Sequence, residues 1–562
     1  MATFKGMSPR EQVRPLDEQP SLPRARFLVA GPPDAEAVPM DVLFVGGGPA
    51  GLSGAIELAR LVKKDAESGG GLGPVEIGVL EKAARLGDHS LSGAVVNPSG
   101  FRELFPELAM EDLPLRRPVT AESVYMLTRS GSLQIPTPPT MRNHGNWIAS
   151  ICEIVRWLGE KAEGLGVNLF PGFPVDSLLI EGERVVGVRT TPSGLGRDGK
   201  PAKPDAQPAM DLSARVTVLA EGTRGPLTQA WLDWQNVRAA NPQIYALGVK
   251  ELWRVPRPLD RIVHTMGWPL PHDAFGGSFM YPMADDLVAL GLVVGLDYYD
   301  ARFDVHETLQ RMKLHPLFRS RLEGGELVEW GAKTIPEGGY WSVPERRHGD
   351  GLLVVGDAAG YVEVSSLKGI HYAMLSGILA ARQIFAALKS GDTSSAGLVG
   401  YTAAVDASAI MRDLHERRNM RLAFKSGFVV GGAKAALMTL TKGAFPGRRI
   451  AIEQDAATPK RVDSADEPFV PDGKLTFSKV DAVYKSGNQT RDDIPSHLTR
   501  NDHVEGDTAE MLAHVCPAGV YEREGDGLRV NAPNCVDCKA TDVLGPRWSP
   551  REGGSGPAYK LM

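Results

Sequence analysis

The chain is poor in cysteine, with four among 562 residues. So few exclude a disulfide framework and point to a reducing compartment. No stretch of about 20 apolar residues occurs, which predicts that no helix spans a membrane. Neither sign of charge dominates: 62 Lys and Arg stand against 68 Asp and Glu, a formal net charge of −6. That balance gives no global reason to bind nucleic acid, and no nucleic-acid partner is expected. The opening MATFKGMSPREQVRPLDEQPSLPRARF lacks the apolar core of a secretory signal, and its acidic residues argue against a mitochondrial transit peptide. Internal repeats and low-complexity tracts are absent as well.

What is present is an ordinary globular composition, 43% hydrophobic and 23% charged, which excludes wholesale disorder. The length exceeds one hydrophobic core of about 250–300 residues, so two or three structural units are expected. Residues 1–38 read as an extended leader. At 40–64 the run MDVLFVGGGPAGLSGAIELARLVKK reads strand, turn, helix, and VEIGVLEK follows as a second strand. This order opens a doubly wound sheet. Residues 151–169 read as helical, and 240–300 as several strands of an inserted sheet. DGLLVVGDAAG returns to the first unit and leads into a helical region.

Gly46, Gly48 and Gly51 form G-x-G-x-x-G between that first strand and helix. The first glycine permits the tight turn, the second admits a pyrophosphate close to the backbone, and the third lets helix and strand pack. Phosphates then meet the positive end of the helix. Glu81 ends the second strand, where a carboxylate can accept ribose hydroxyls. A second turn, Gly356-Asp357-Ala358-Ala359-Gly360, again follows an apolar strand, and Asp357 can hold a ribityl chain. TVLAEGTRG, residues 217–225, supplies a third element of the same kind. Three such elements across some 300 residues favour FAD over NAD. No second dinucleotide fingerprint offers a site for NAD(P)H, so electrons must come from a substrate or another protein.

Two cysteines sit three apart in NCVDCKATD, Cys535 and Cys538, with Cys516 upstream in HVCPAGVY. An iron–sulfur run would place a fourth cysteine at 541, where the chain has Thr541. The remaining cysteine, Cys152, lies in an apolar helical run and reads as a small buried hydrophobe. KSGFVVGGAKAALMTLTKGAFPGRR, residues 425–449, is apolar with basic flanks, too short to span, and fits an interfacial helix with Lys425, Lys442, Arg448 and Arg449 at the headgroups. A core helix with basic ends is the plainer reading.

Taken together, DVLFVGGGPAGLSGAIELARL, VLEKAARLGDHSLSGAVVNP, NHGNWI, FGGSFMYPM, LVALGLVVGLDY, CPAGVYE with NCVDCK, and GGSGPAY resemble the electron transfer flavoprotein–ubiquinone oxidoreductase family from about residue 40 onward. The resemblance implies one FAD and one 4Fe–4S cluster that relay electrons from reduced electron transfer flavoprotein to ubiquinone, on one leaflet of a membrane. It implies that Gly46, Gly48, Gly51, Glu81, Gly356 and Asp357 bind FAD, that His89, Ser92 and Gly93 lie near the flavin ring, and that Gly276 and Gly277 face the quinone. From residues alone, the Gly276–Gly277 pair reads equally as a strand bulge. The family's cluster has four cysteine ligands; Cys516, Cys535 and Cys538 match three. Four outcomes are open: a 4Fe–4S cluster with Asp542, water or Thr541 at the odd iron, a 3Fe–4S cluster, zinc on the three cysteines and His514, or an empty pocket. LQIPTPPTMRN, residues 133–143, matches the family's second membrane element but is rather polar.

The expected architecture is therefore α/β with α+β. A FAD-binding doubly wound domain of glutathione-reductase type (39–235 and 345–425) carries an inserted antiparallel-sheet quinone domain (236–344). A membrane-surface helix (426–450) and a linker (451–474) precede a C-terminal ferredoxin-like iron–sulfur module (475–562). A monomer on the cytoplasmic face of a bacterial inner membrane is expected. The rival readings are a FAD-dependent reductase or monooxygenase of an apolar small molecule with a vestigial cysteine module, and a non-catalytic FAD-containing assembly protein.

Overall fold

The computed structural model describes residues 12–462, 469–525 and 527–562. The first eleven residues of the expected leader and residues 463–468 of the expected linker lie outside them.

A six-stranded sheet organises the nucleotide end. Its strands are β1 (Val42–Val45), β2 (Ile77–Glu81), β3 (Asn168–Pro171), β4 (Val216–Leu219), β5 (His348–Gly349) and β6 (Leu352–Val354), in the spatial order β3-β2-β1-β4-β6-β5. All neighbours run parallel except the short β5. The apolar run of β1 is buried throughout, as a strand covered on both faces requires. Helices α1 (Pro49–Glu67) and α2 (Ile370–Ser390) cover it. They cross closely because glycines meet there: a Cβ on Gly377 would lie 2.1 Å from the Ala50 carbonyl oxygen. Pro49, which lacks an N–H, starts α1 at the position where none is needed.

The second large sheet has seven strands, and it departs from the expected insertion in two ways. Five strands come from residues 245–336, but the outer two are Glu122–Leu127 and Ser132–Ile135, within the stretch assigned to the nucleotide domain. The sheet is also mixed, since Ile262–Gly267 pairs parallel with Glu122–Leu127. The leader differs too. Leu28–Ala30 and Val38–Pro39 form the edges of a five-stranded sheet with Val175–Glu181, Arg184–Thr190 and Asp211–Ser213. Gln12–Val13 pairs with Lys460–Arg461 of the expected linker. That linker is anchored through Asp455, which accepts the Tyr245 N–H at 2.7 Å, and through the buried ammonium of Lys460 on the carbonyl of Leu296 at 2.7 Å.

Beyond α3 (Phe428–Leu440), the C-terminal module is built from the helix Lys479–Lys485, α4 (Gly506–Val515), α5 (Ala540–Leu544), one hairpin (Tyr521–Glu524 with Gly527–Val530) and the strand pair Leu498–Thr499 with Arg547–Trp548. It is not an independent bead. Its apolar side chains, including Leu512, Val536 and Val543, share one hydrophobic core with Leu247, Leu290 and Trp330 of the seven-stranded sheet.

Candidate functional site

The first turn does what its spacing predicts locally. Gly46 takes a left-handed φ of 118°, and a Cβ there would lie 2.3 Å from the Ala220 carbonyl oxygen. A Cβ on Gly51 would lie 2.1 Å from the Gly46 carbonyl oxygen. Gly48 instead faces open space and caps α1 with no side-chain hydrogen bond, so the first-turn amides are left for an anion. The Glu81 carboxylate accepts from the Gly47 and Ala83 amides, each at 2.9 Å, which fixes it at the end of β2.

The second turn arrives beside the first. Gly356 (φ 62°) packs on Ala50 of α1, where a Cβ would meet the alanine methyl at 3.0 Å, and its N–H donates to the Ser376 hydroxyl. Asp357 is half-buried, and desolvation pushes its carboxyl up to about 6, against the pull of Lys333. The third element plays a local part: Glu221 accepts from the Thr228 amide and hydroxyl, both at 2.7 Å, at the start of the helix Pro226–Trp234. These donors and this uncapped helix end fit a dinucleotide such as FAD.

His89, Ser92 and Gly93 lie on the loop after β2, toward the seven-stranded sheet. The Ser92 carbonyl accepts the buried Lys250 ammonium at 2.9 Å, and Gly93 faces Tyr281. His89 is buried with Nδ1 unpartnered. Burial, then Lys82, pull its imidazole well below the ordinary range, so the ring is neutral.

All three cysteines of the module are buried. Cys516 caps the C-terminus of α4 and receives the Val520 N–H at 3.4 Å. Cys535 follows the turn Ala532–Asn534, and Cys538 lies between two residues with left-handed backbone, Asp537 (φ 55°) and Lys539 (φ 65°). Burial pushes the thiols up, Cys535 to about 12. A thiolate here therefore needs a positive partner, which iron supplies. The Tyr521 phenol stands within electrostatic reach of all three sulfurs, and its hydroxyl lies 3.5 Å from that of Thr541.

Between the cysteines and His89 sits Asp537, 2% exposed as a side chain. One oxygen accepts from Trp548 Nε1 at 2.9 Å, Arg551 at 3.0 Å and the Cys535 thiol at 3.7 Å. The other accepts from Lys82 at 2.5 Å and lies 3.9 Å from His89 Nδ1. Burial alone would raise this carboxyl; Arg551 and Lys82 hold it well below its usual range. The half-buried Lys333 and the buried Lys539 stand close by, depressed by desolvation to about 8 and about 7.

Gly276 and Gly277 begin the strand Gly276–Pro282 without a bulge. Glycine is demanded by neighbouring carbonyls: a Cβ would lie 2.1 Å from Val293 O at Gly276 and 2.7 Å from Thr265 O at Gly277. Phe275, just before them, packs on Phe424 at 5.1 Å and under the Arg421 guanidinium at 4.1 Å. Phe424 leads into α3, whose Val429 and Leu440 are each 82% exposed beside Phe428 and Val430. Among the described residues, no helix is long and apolar enough to cross a membrane.

Family profiles match two parts of the chain: "ETF-QO, ubiquinone-binding" over residues 245–335 and "Electron transfer flavoprotein-ubiquinone oxidoreductase, 4Fe-4S" over 473–560. Curated relatives match nearly throughout. The mitochondrial electron transfer flavoprotein–ubiquinone oxidoreductase of Oryza sativa is 36% identical, covering 96% of this chain and 95% of its own. The Homo sapiens protein of the same name is 36% identical over 93% and 89%. The chain belongs to the electron transfer flavoprotein–ubiquinone oxidoreductase family. Solved structures add the fold alone: a geranylgeranyl bacteriochlorophyll reductase-like protein of Thermoplasma acidophilum (TM-score 0.55, 17% identity, 75% of this chain and 95% of that one) and a flavin-dependent brominase (0.50, 18%, 72% and 94%).

Within this oxidoreductase family the chain keeps three of four expected cluster cysteines. Two proposed substitutes for the fourth are engaged elsewhere. The Asp542 carboxylate is held by Arg224 and by the Trp548 N–H at 2.7 Å. The His514 ring points toward Asp304, 3.9 Å from its carboxylate, and among the described residues no metal-binding set joins it to the cysteines. Cys152 gives its thiol hydrogen to Ser90 O at 3.2 Å. Asp537, Lys82, Arg551 and Tyr521 were not singled out from the sequence. Only the unusual D in CVDC, an acid between two cysteines, could have drawn attention to the first.

Proposed function

We propose that the chain oxidises reduced electron transfer flavoprotein and passes the electrons, through FAD and an iron–sulfur cluster, to ubiquinone at a membrane surface. FAD supplies a carrier that exchanges electrons singly or in pairs, and the cluster supplies a single-electron carrier. The observation that supports this reading best is the joint at Asp537, one carboxylate touching both Cys535 and the neighbourhood of His89.

Gly46, Gly48 and Gly51 would hold the pyrophosphate at the start of α1, Glu81 the ribose, and Gly356 with Asp357 the far side of the nucleotide. His89, Ser92 and Gly93 would border the flavin ring. Cys516, Cys535 and Cys538 would bind the cluster. Arg551 and Lys82 bring positive charge against the negative charge that thiolate-bound iron accumulates. Gly276 and Gly277 would face the quinone. Their strand begins against Phe424, at the root of α3, so a quinone there would be close to lipid. The exposed apolar side of α3, flanked by Lys425, Lys442, Arg448 and Arg449, suits one leaflet's interface. A monomer bound in this way, on the cytoplasmic leaflet where the host is a bacterium, completes the proposal.

The test is anaerobic mixing. Reduced electron transfer flavoprotein should reduce the bound flavin, and ubiquinone in vesicles should reoxidise it. Bleaching by NADH or NADPH alone, with no response to the flavoprotein, would favour a reductase instead. The pair Val429→Asp and Leu440→Asp should lower co-sedimentation with anionic vesicles at least about tenfold, while turnover with a short-chain quinone is kept. Unchanged sedimentation would remove α3 from the membrane.

A further inference from the structure

The Tyr521 phenol stands within electrostatic reach of all three thiols, and two hydroxyls, its own and that of Thr541, meet at the corner that no cysteine supplies. Thr541 stands in the first turn of α5 with its hydroxyl 3.5 Å from that of Tyr521, and both residues are buried. An alcohol is neutral near neutral pH, so it does not replace a thiolate, and the enclosure keeps the corner from bulk hydroxide.

Other candidate ligands are committed. Asp542 is tied down by Arg224 and the Trp548 amide. His514 faces Asp304, and Cys152, on the helix Ile151–Glu163, donates to the Ser90 carbonyl. Among the described residues, one cluster of potential ligands does include a cluster cysteine: His497, Cys535 and Asp537 lie with ligand atoms within 4.8 Å of one another. Arg551 closes that group, contacting Asp537 at 3.0 Å and His497 Nε2 at 3.3 Å. A guanidinium already stands where a cation would go.

We propose that this pocket holds a three-iron, 3Fe–4S cluster on Cys516, Cys535 and Cys538, with no iron at the corner lined by Thr541 and Tyr521. The inference rests on the functional reading above and deepens it. A cuboidal cluster lacking one iron needs three cysteine ligands, one for each iron it keeps, and this chain provides that number. Each cysteine gives up its proton to solvent as its sulfur binds iron, one thiolate for each iron. The chain then differs from a four-cysteine module by one residue, Thr541.

The experiment uses the full-length, flavin-loaded protein purified without oxygen. Iron and acid-labile sulfide are counted, and low-temperature EPR is recorded in the oxidised and reduced states. The wild type should carry about three irons and four sulfides per chain. It should be EPR-active when oxidised and lose that signal on one-electron reduction. Incubation with ferrous iron and reductant should leave this state unchanged. Thr541→Cys should take up a fourth iron, become EPR-silent when oxidised and gain a signal on reduction. Thr541→Val, of matched shape, should keep the three-iron signature, because the hydroxyl is not a ligand. Four irons in the wild type, a cluster lost in Thr541→Val, or three irons in Thr541→Cys as well would each overturn the assignment. So would a flavin-loaded wild type that holds no iron. Flavin content and oxidation of the donor flavoprotein are read on the same samples. A failure of the cluster assignment alone thus leaves those signals intact, and a failure of the functional reading does not.

Discussion

The nucleotide turns and the cysteine loop both bend the chain into left-handed backbone, and they fill those positions oppositely. Gly46 and Gly356 do so with no side chain, because neighbouring backbone or helix stands where a Cβ would go. Asp537 and Lys539 do so with charged side chains, each accepting a conformational cost of about 1–2 kcal/mol. At the turns, absence of side chain is the function. At the loop, the strained positions aim a carboxylate at Lys82 and Arg551, and an ammonium at the carbonyls of Thr223 and Arg224, 3.2 and 3.1 Å away.

The largest effect should follow from adding a methyl group at the first turn. Gly46→Ala combines a left-handed penalty with a collision on the Ala220 carbonyl, and should destabilise the protein by about 3 kcal/mol or more and abolish flavin binding. Gly48→Ala meets open space, so it should fold normally and lose only flavin affinity. Thermal melts with flavin absorbance separate the two. Equal melts would show that the turn does not depend on the steric contact at Gly46.

At the loop, removing a side chain should hurt. Asp537→Ala leaves Arg551 and Lys82 facing each other without their shared counter-charge. Breaking such a buried set costs about 3–5 kcal/mol. Denaturant unfolding checks this, and a loss below about 1 kcal/mol would mean that the cations relax to solvent. Asp537→Asn keeps the Trp548 and Arg551 contacts in part and should fall between.

What could be read from the sequence divides along the same line. A left-handed turn is a local fact, so Gly46 and Gly356 announce themselves, as does Gly51, whose Cβ would meet the Gly46 carbonyl oxygen; Gly48 faces open space and is legible only from the spacing. Gly276 and Gly277 were visible as a pair, yet their cause is the carbonyls of Val293 and Thr265, on two other strands. The Asp537 joint was invisible because Lys82 comes from the end of β2 and Arg551 from beyond α5. The edge strand Ser132–Ile135 was hidden by its polarity, and Leu28–Ala30 and Val38–Pro39 by being three and two residues long. Those elements exist because a neighbouring strand needed a partner, not because their own pattern demanded it.

A pH experiment sharpens the contrast at the second turn. In flavin-free protein Asp357 has its carboxyl raised from 3.8 to about 6, by burial first. Between these values the folded state binds more protons than the unfolded one. Asp357 therefore contributes stability in full below pH 3.8 and loses it as pH rises through about 6, by about 3 kcal/mol. Asp357→Asn should flatten that limb of the stability profile. An unchanged profile would place Asp357 in contact with solvent.

The smallest effect isolates the backbone term itself. Lys539→Gly and Lys539→Ala remove the same ammonium, its two carbonyl contacts and its position 4.5 Å from the Trp548 ring. They differ only in the methyl group that must sit at φ 65°. The glycine variant should be the more stable by about 1 kcal/mol, a gap seen as a shift of the urea midpoint without a change in slope. That gap is what the loop forgoes by using a lysine where the nucleotide turns use glycine. If the two variants unfold together, the loop has room to relax, and the left-handed geometry around Cys538 is not what holds Asp537 against Cys535.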